Sequence, residues 1–280
     1  MTRPPVLRSA LVLVALLALI GCSDDSGTAA DRSTTSTTSA ATTSTTEAPP
    51  PLRIMLTNDD GVAAPGIDAL AVALRKLPAV TVTIVAPAEQ RSGSGGKTTS
   101  GALGAHPATT ASGLEATAVE GYPADTVIWA IDQKGLDQRP QLVVAGSNLG
   151  QNLGPVAGIS GTVGAARAAV ARGIPALAVS QGLSSHIDYS SSVEFAVDWV
   201  NEHRAALSAG NAPVVVASIN SPTCGKGSVK GIVAVPPATD PGGRNVVAAD
   251  VDCTSSTPQG TDDIDAFNAG YASLTNLPAA

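Results

Sequence analysis

The sequence predicts an α/β fold built on a mostly parallel sheet with helices on both faces. Short apolar runs alternate with helical stretches from Leu52 onward, which is the pattern of strands joined by helical crossovers. The apolar fraction is 44% with only 2% aromatic, so the core must be built from Ala, Val, Leu and Ile. Small and β-branched packing of that kind suits buried parallel strands under a helical layer. Polar, Gly-rich loops follow several of the runs, where an open α/β sheet places its ligand site.

In chain order, Leu52 to Thr57 is an apolar run that ends in Asn58-Asp59-Asp60-Gly61, a strand entering a turn. Ile67 to Leu77 puts Ile67, Leu70, Ala71, Leu74 and Leu77 on one helical face. Val80 to Ala86 is a second strand, closed by Pro87. Leu142 to Ala145 and Ala176 to Val179 are further strands, separated by an Ala-rich helix over Thr162 to Arg172. Val193 to Leu207 is amphipathic, and Val214 to Ile219 is another strand. Thr98 to Val119 and Gly231 to Asp252 interrupt the alternation with short Gly- and Thr-rich runs, and are expected to be β-hairpin insertions.

Ahead of this domain, expected over residues 52–280, lie two other segments. Arg3 and Arg8 precede an apolar run, Ala10 to Ile20, shorter than the ~20 residues that cross a bilayer, so a cleaved signal is expected. The run closes in Leu19-Ile20-Gly21-Cys22, which resembles the lipobox of bacterial lipoproteins. That resemblance implies lipidation at Cys22, removal of the residues before it, and an exported protein anchored to a membrane through lipid alone; a secreted form is the alternative. Ser23 to Pro51 is dominated by Thr, Ser, Ala and Pro, and is expected to be a disordered tether spanning ~30 Å. The net charge of -7, without clustered Lys and Arg, argues against a nucleic-acid duplex as partner. Cys224 and Cys253 belong to no metal-type Cys/His cluster; outside the cytoplasm they could bridge, and separate buried thiols are the equal alternative.

Three loops carry candidate chemistry. Adjacent carboxylates repel, so Asp59 and Asp60 at a strand end favour a bound cation, although the same residues make a good solvated turn. Ser92 in Arg-Ser-Gly, with Asn148 and Asn152 in Gly-Ser-Asn-Leu-Gly-Gln-Asn-Leu-Gly, adds neutral oxygens. An all-oxygen set suits Mg²⁺, Mn²⁺ or Ca²⁺ rather than zinc, and His106, His186 and His203 are scattered. The stretch from Gly158 through Ser160, Gly161 and Thr162 runs into a helix, which makes either an anion site or a plain N-cap at Ser160. Beside a divalent ion, the anion points to phosphate. Gly93 to Thr98 ends like a P-loop but has Arg91 at the required first Gly, and no Gly-x-Ser-x-Gly elbow occurs.

Read together, these segments resemble the SurE family of stationary-phase survival nucleotidases. Ile54-Met55-Leu56-Thr57-Asn58-Asp59-Asp60-Gly61 with Ala64-Pro65-Gly66-Ile67 looks like the family's opening, followed by Val85-Ala86-Pro87 and Arg91-Ser92-Gly93. Gly146 to Gly154 and Ser160 to Ala166 look like its central signature; Gly173-Ile174-Pro175, Gly260-Thr261-Asp262 and Gly270 to Thr275 extend the likeness nearly to the end. The resemblance implies a Rossmann-like fold and a metal-dependent 5′/3′-nucleotidase or broad phosphatase that takes small phosphomonoesters. It implies a metal held at Asp59, Asp60, Ser92 and Asn148, and a phosphate pocket lined by Asn152 and the Ser160-Gly161-Thr162 turn. Asp59 is the candidate to steer or deprotonate the attacking water. The family usually has Tyr where this chain has Ile159. Members also run on past the Gly-Tyr-x-Ser segment into an arm exchanged between dimer partners, so a homodimer stays open as an expectation. The competing readings are a surface module that binds a nucleotide without turning it over and, more weakly, a dinucleotide-dependent oxidoreductase, for which no Gly-x-Gly-x-x-Gly follows the first strand.

Overall fold

The computed structural model describes residues 51–133 and 135–279. The expected signal segment, Cys22 and the tether up to Pro50 lie outside the described residues. The chain begins with β1 (Leu52–Thr57), α1 (Pro65–Leu74), β2 (Val80–Pro87), β3 (Ala105–Thr109), β4 (Glu115–Val119), α2 (Pro123–Asp132) and β5 (Leu142–Leu149). After a short 3-10 turn, Gly154–Gly158, come α3 (Gly161–Val170), β6 (Ala176–Gln181), α4 (Ser190–Ser208) and β7 (Val216–Ser221). The last part holds β8 (Cys224–Lys226), β9 (Ile232–Ala234), β10 (Val251–Asp252), α5 (Asp263–Asn268) and β11 (Ala272–Leu277).

Nine strands form one sheet in the order β3-β4-β2-β1-β5-β6-β7-β11-β9. The pairs from β4 through β2, β1, β5 and β6 to β7 are all parallel, as the alternation requires. Side chains of a strand point to alternate faces, and each face here has its own core. Ile54 and Leu56 of β1 pack with Leu142, Val144, Leu177 and Val179 beneath α1 and α4. Met55, Val143, Ala145, Ala176 and Ala178 face the other way, against Val127 of α2 and the Ala-rich side of α3. Pro65 starts α1 and Pro123 starts α2, positions where the missing N–H costs no hydrogen bond and φ is preset.

The first predicted insertion is a hairpin, with β3 antiparallel to β4, but β4 also pairs with β2 and so extends the main sheet. The second expectation is corrected: Gly231 to Asp252 makes no hairpin. Its β9 runs parallel to β11, and its β10 runs parallel to β8 in a separate two-stranded sheet. Runs this short carry an apolar pattern but nothing that names their partner. β11 lies antiparallel to β7. Cys224 and Cys253 are joined in a disulfide with Cα atoms 5.6 Å apart, beside a third, smaller cluster of Leu153, Ala238, Val251, Ile264 and Phe267. Among the described residues no helix is long and apolar enough to cross a membrane.

Candidate active site

β1 delivers the first loop. Asn58 is fully buried and donates from Nδ2 to the Gly61 carbonyl at 2.8 Å, which tightens the turn and fixes where the next two residues point. The other end of that amide, Oδ1, is buried with no hydrogen-bond partner, a costly state for a carbonyl unless something positive approaches it. Asp59 is 2% exposed, and its Oδ1 accepts the Thr162 hydroxyl at 2.6 Å. Burial raises its pKa, against the opposing effect of the Thr162 hydroxyl and the N–H groups at the start of α3.

Asp60 is less buried. Its Oδ2 accepts the Leu149 N–H at 3.1 Å, so the carboxylate reaches across to the carboxyl end of β5. Burial, and then the neighbouring charge of Asp59, push its pKa up to about 6. Tyr189, at the entrance to α4, is driven up to about 12 by burial and by Asp60, so its phenol stays protonated near that carboxylate. Both aspartates thus sit close together in a site where, among the described residues, neither forms a salt bridge with Lys or Arg.

The other predicted loops converge on the same place. The Arg91 N–H donates to the Asp59 carbonyl at 2.6 Å, which sets Ser92 one residue from that anchor; Ser92 is exposed and its Oγ accepts from Gln90 Nε2 at 2.9 Å. Asn148 is 7% exposed and spends its Nδ2 on the Gly150 carbonyl at 2.5 Å, leaving Oδ1 as its group able to bind a cation. Ser160 is the N-cap of α3, its Oγ accepting the Val163 N–H at 3.1 Å. A Cβ at Gly161 would lie 2.8 Å from Asp59 Oδ2, so only glycine lets the helix start this close to the carboxylate. Gly164 has the same reason to be small: a Cβ there would overlap the Gly95 carbonyl, which the loop after Ser92 lays against α3.

Asn152 is held at both ends. Its backbone N–H donates to Asn220 Oδ1 at 2.6 Å, and its Nδ2 donates to Ser180 Oγ at 2.9 Å. Asp263, the first residue of α5, accepts the Gly154 N–H through Oδ2 and the Ala238 N–H through Oδ1, each at 2.8 Å. Sequence reasoning missed Ser180, Asn220 and Asp263. The first two had a signal, since each is a polar residue directly behind an apolar strand run, where a parallel sheet meets its ligand. Asp263 had none beyond its place in a helix start. The structure therefore joins Asp59 to Thr162 and to the turn that carries Ser92, brings Asp60 to Leu149 beside Asn148, ties Asn152 to Ser180, the register partner of Asn148, and pairs Cys224 with Cys253 in a bridge of their own. Among the described residues no three His, Cys, Asp or Glu side chains group to hold an ion; the donors here are two carboxylates and neutral oxygens.

Residues 54–244 match the family model described as Survival protein SurE. The chain belongs to the SurE family. It is 35% identical over 240 residues to the 5′-nucleotidase SurE of Moorella thermoacetica, an alignment covering 80% of this chain and 89% of that protein. Identity to the 5′-nucleotidase SurE of Rhizorhabdus wittichii is 32% over 243 residues, covering 81% of this chain and 93% of that protein. With the SurE nucleotidase of Parvibaculum lavamentivorans it is 36% over 192 residues, covering 65% of this chain but 64% of the relative. Among solved structures, the SurE protein from Aquifex aeolicus superposes with a TM-score of 0.62 at 28% identity, covering 81% of this chain and 94% of that one. The SurE fold agrees with the parallel α/β sheet described above.

Proposed function

We propose that this protein is a metal-dependent phosphomonoesterase, a 5′-nucleotidase that acts outside the cell membrane. The observation that carries the chemistry is the pairing of Asp59 with Asp60, both pushed toward protonation, beside the amino end of α3. Two carboxylates without a cationic side chain, together with the orphaned Asn58 Oδ1, make an oxygen-lined site that fits a hard divalent ion such as Mg²⁺ or Mn²⁺, with Ca²⁺ as a third option. Asp59, Asp60, Ser92 and Asn148 would hold it. When bound, such an ion supplies charge neutralisation for phosphate oxygens and a more acidic water.

The chain's own residues do the rest. The turn Ser160-Gly161-Thr162 presents the positive end of α3, and Asn152, fixed by Ser180 and Asn220, is the side chain we assign to the phosphate with it. Thr162 keeps Asp59 in one rotamer through its 2.6 Å hydrogen bond, which suits a carboxylate that aligns a water and takes its proton. Tyr189 stays a hydrogen-bond donor at any physiological pH. Phosphate release from AMP and from p-nitrophenyl phosphate, with Mg²⁺, Mn²⁺ and a chelator, tests the reading. Turnover that survives complete chelation rules out the metal-dependent form, and no turnover of either ester rules out the enzyme.

Export and anchoring rest on the Leu19-to-Cys22 motif. Metabolic labelling with a radioactive fatty acid is expected to mark the protein and to lose the label in Cys22→Ala. Equal labelling of both would remove the anchor.

A further inference from the structure

Four buried side-chain polar atoms among the described residues have no hydrogen-bond partner, and two of them border Asp59. One is Asn58 Oδ1, next to it in the chain. The other is the hydroxyl of Ser94, a residue only 8% exposed. Hydroxyls elsewhere in the site are committed: Thr162 to Asp59, Ser160 to the Val163 N–H, and Ser180 to the Asn152 amide. A hydroxyl taken from water and given no partner costs stability, so its place here calls for a reason beyond packing.

The backbone pins Ser94 against the start of α3. Its carbonyl accepts the Lys97 N–H at 3.1 Å, and the Gly95 N–H donates to the Ile159 carbonyl at 2.9 Å. Gly95 is left-handed, with φ 55°, a course that glycine adopts without strain. The stretch Gly93 to Thr98, which ends like a P-loop, is thus a packed turn that inserts one serine. Where a Cβ on Gly161 would sit, the nearest polar atoms are Asp59 Oδ2 at 2.8 Å and Ser94 Oγ at 2.9 Å. The two oxygens flank the same side of one glycine. Thr162 is the one side-chain donor to Asp59 among the described residues, and it takes Oδ1. Oδ2 is the oxygen that lies toward Ser94.

We propose that Ser94 is a positioning residue: on the phosphomonoesterase reading above, its hydroxyl donates to Asp59 Oδ2 in the loaded site, as Thr162 donates to Oδ1. One donor leaves the carboxylate free to pivot about the bonded oxygen. Two donors fix its plane, so that it meets the water it deprotonates in a single orientation. A hydroxyl suits this place because it steadies a carboxylate without a charge that would compete with a cation. Ser94 can turn between staggered rotamers to make the contact, and the turn forfeits no existing hydrogen bond.

The test is Ser94→Ala in the full chain, with Ser94→Cys as the variant that keeps the side chain's size but offers only a weak donor. Phosphate release from AMP at saturating Mn²⁺ is measured beside the melting temperature without added metal. Because the hydroxyl is unpartnered in the resting fold, its removal is expected to leave the melting temperature unchanged or higher. In both variants kcat is expected to fall roughly 10–100-fold with KM nearly unchanged. A serine that merely packs gives the reverse, a lower melting temperature with wild-type kcat. Wild-type kcat in either variant overturns the proposal and leaves the nucleotidase reading standing. A fall in kcat accompanied in both variants by a lowered melting temperature also overturns it. Should wild type release no phosphate from AMP or from p-nitrophenyl phosphate, the enzyme reading fails by itself, and calorimetric titration with Mn²⁺ decides Ser94. Affinity roughly tenfold weaker in Ser94→Ala supports the contact with Asp59; equal affinity, or no binding to wild type, overturns it.

Discussion

From Leu52 to Ser221 the chain buries two apolar layers against a parallel sheet, whereas from Pro222 to Gly270 it buries only a small cluster and adds a disulfide, an Arg244 pair with Asp262 and Asp265, and the buried carboxylate of Asp263. The first region is stabilised by area removed from water, which grows with the number of packed side chains. In the second, few apolar residues are available, so cross-links and specific polar contacts replace them. The two regions also divide the chemistry. The body carries Asp59, Asp60, Asn148 and the start of α3, while the later segment holds the Gly154 backbone through Asp263.

Four measurements would break or sharpen that contrast. The largest effect is expected for Asp60→Asn, which should cut metal-supported phosphate release by roughly 10²–10³-fold, since it removes charge aimed at the reacting group. Circular dichroism should show the fold intact. Full activity would remove Asp60 from the site. In the body, Leu70→Ala leaves a cavity under α1, where Leu70 is fully buried; a loss of about 2–5 kcal/mol is expected in denaturant unfolding. Reduction of the Cys224–Cys253 bridge should cost about 3 kcal/mol in the chain-entropy account. Limited proteolysis should then cut within residues 222–271 before the body unfolds. Simultaneous loss of both regions would show that they form one cooperative unit, against the contrast drawn here.

The smallest effect concerns pH. In the folded, metal-free chain Asp60 binds its proton more tightly than in the unfolded chain, because its pKa rises from 3.8 to about 6. Its contribution to stability is therefore fully present below about pH 4 and is lost as pH rises through about 6. With a chelator present, Asp60→Asn should be more stable than wild type at pH 7, by on the order of 2 kcal/mol, and the two should converge near pH 4. A melting-temperature difference that stays constant across that range would contradict the burial and charge coupling at this carboxylate.

Much of the body was legible because its signals are local. The run Leu52 to Thr57 is β1 residue for residue, and the apolar stripe of α1 is the one that packs. Helix α2 was missed: Pro123 to Asp132 directly follows a stretch read as an insertion, and its start is fixed by Asp125, which accepts from Tyr122 N–H and from Thr99, 26 residues away in the chain. The Gly231 to Asp252 region was misread for the same kind of reason, because β9 finds β11 and β10 finds β8, pairings that a short alternating run does not encode. In the site, Asp59, Asp60 and the Ser160 turn stand out through turn and cap chemistry, while Asn220 and Ser180 act through Asn152 and have meaning only once β6 and β7 lie side by side.

By itself the sequence determined the alternation of strand and helix, the position of the paired carboxylates at a strand end, and the small residues where α3 begins. Periodicity, turn residues and caps act within a few residues, so they can be read one segment at a time. Only the tertiary structure decided that Asp59 meets Thr162, that Asp60 reaches Leu149, that Cys224 joins Cys253, and that Asp263 supports Gly154. Each of those contacts joins residues far apart in the chain, and their geometry exists only after the sheet has closed the distance between them.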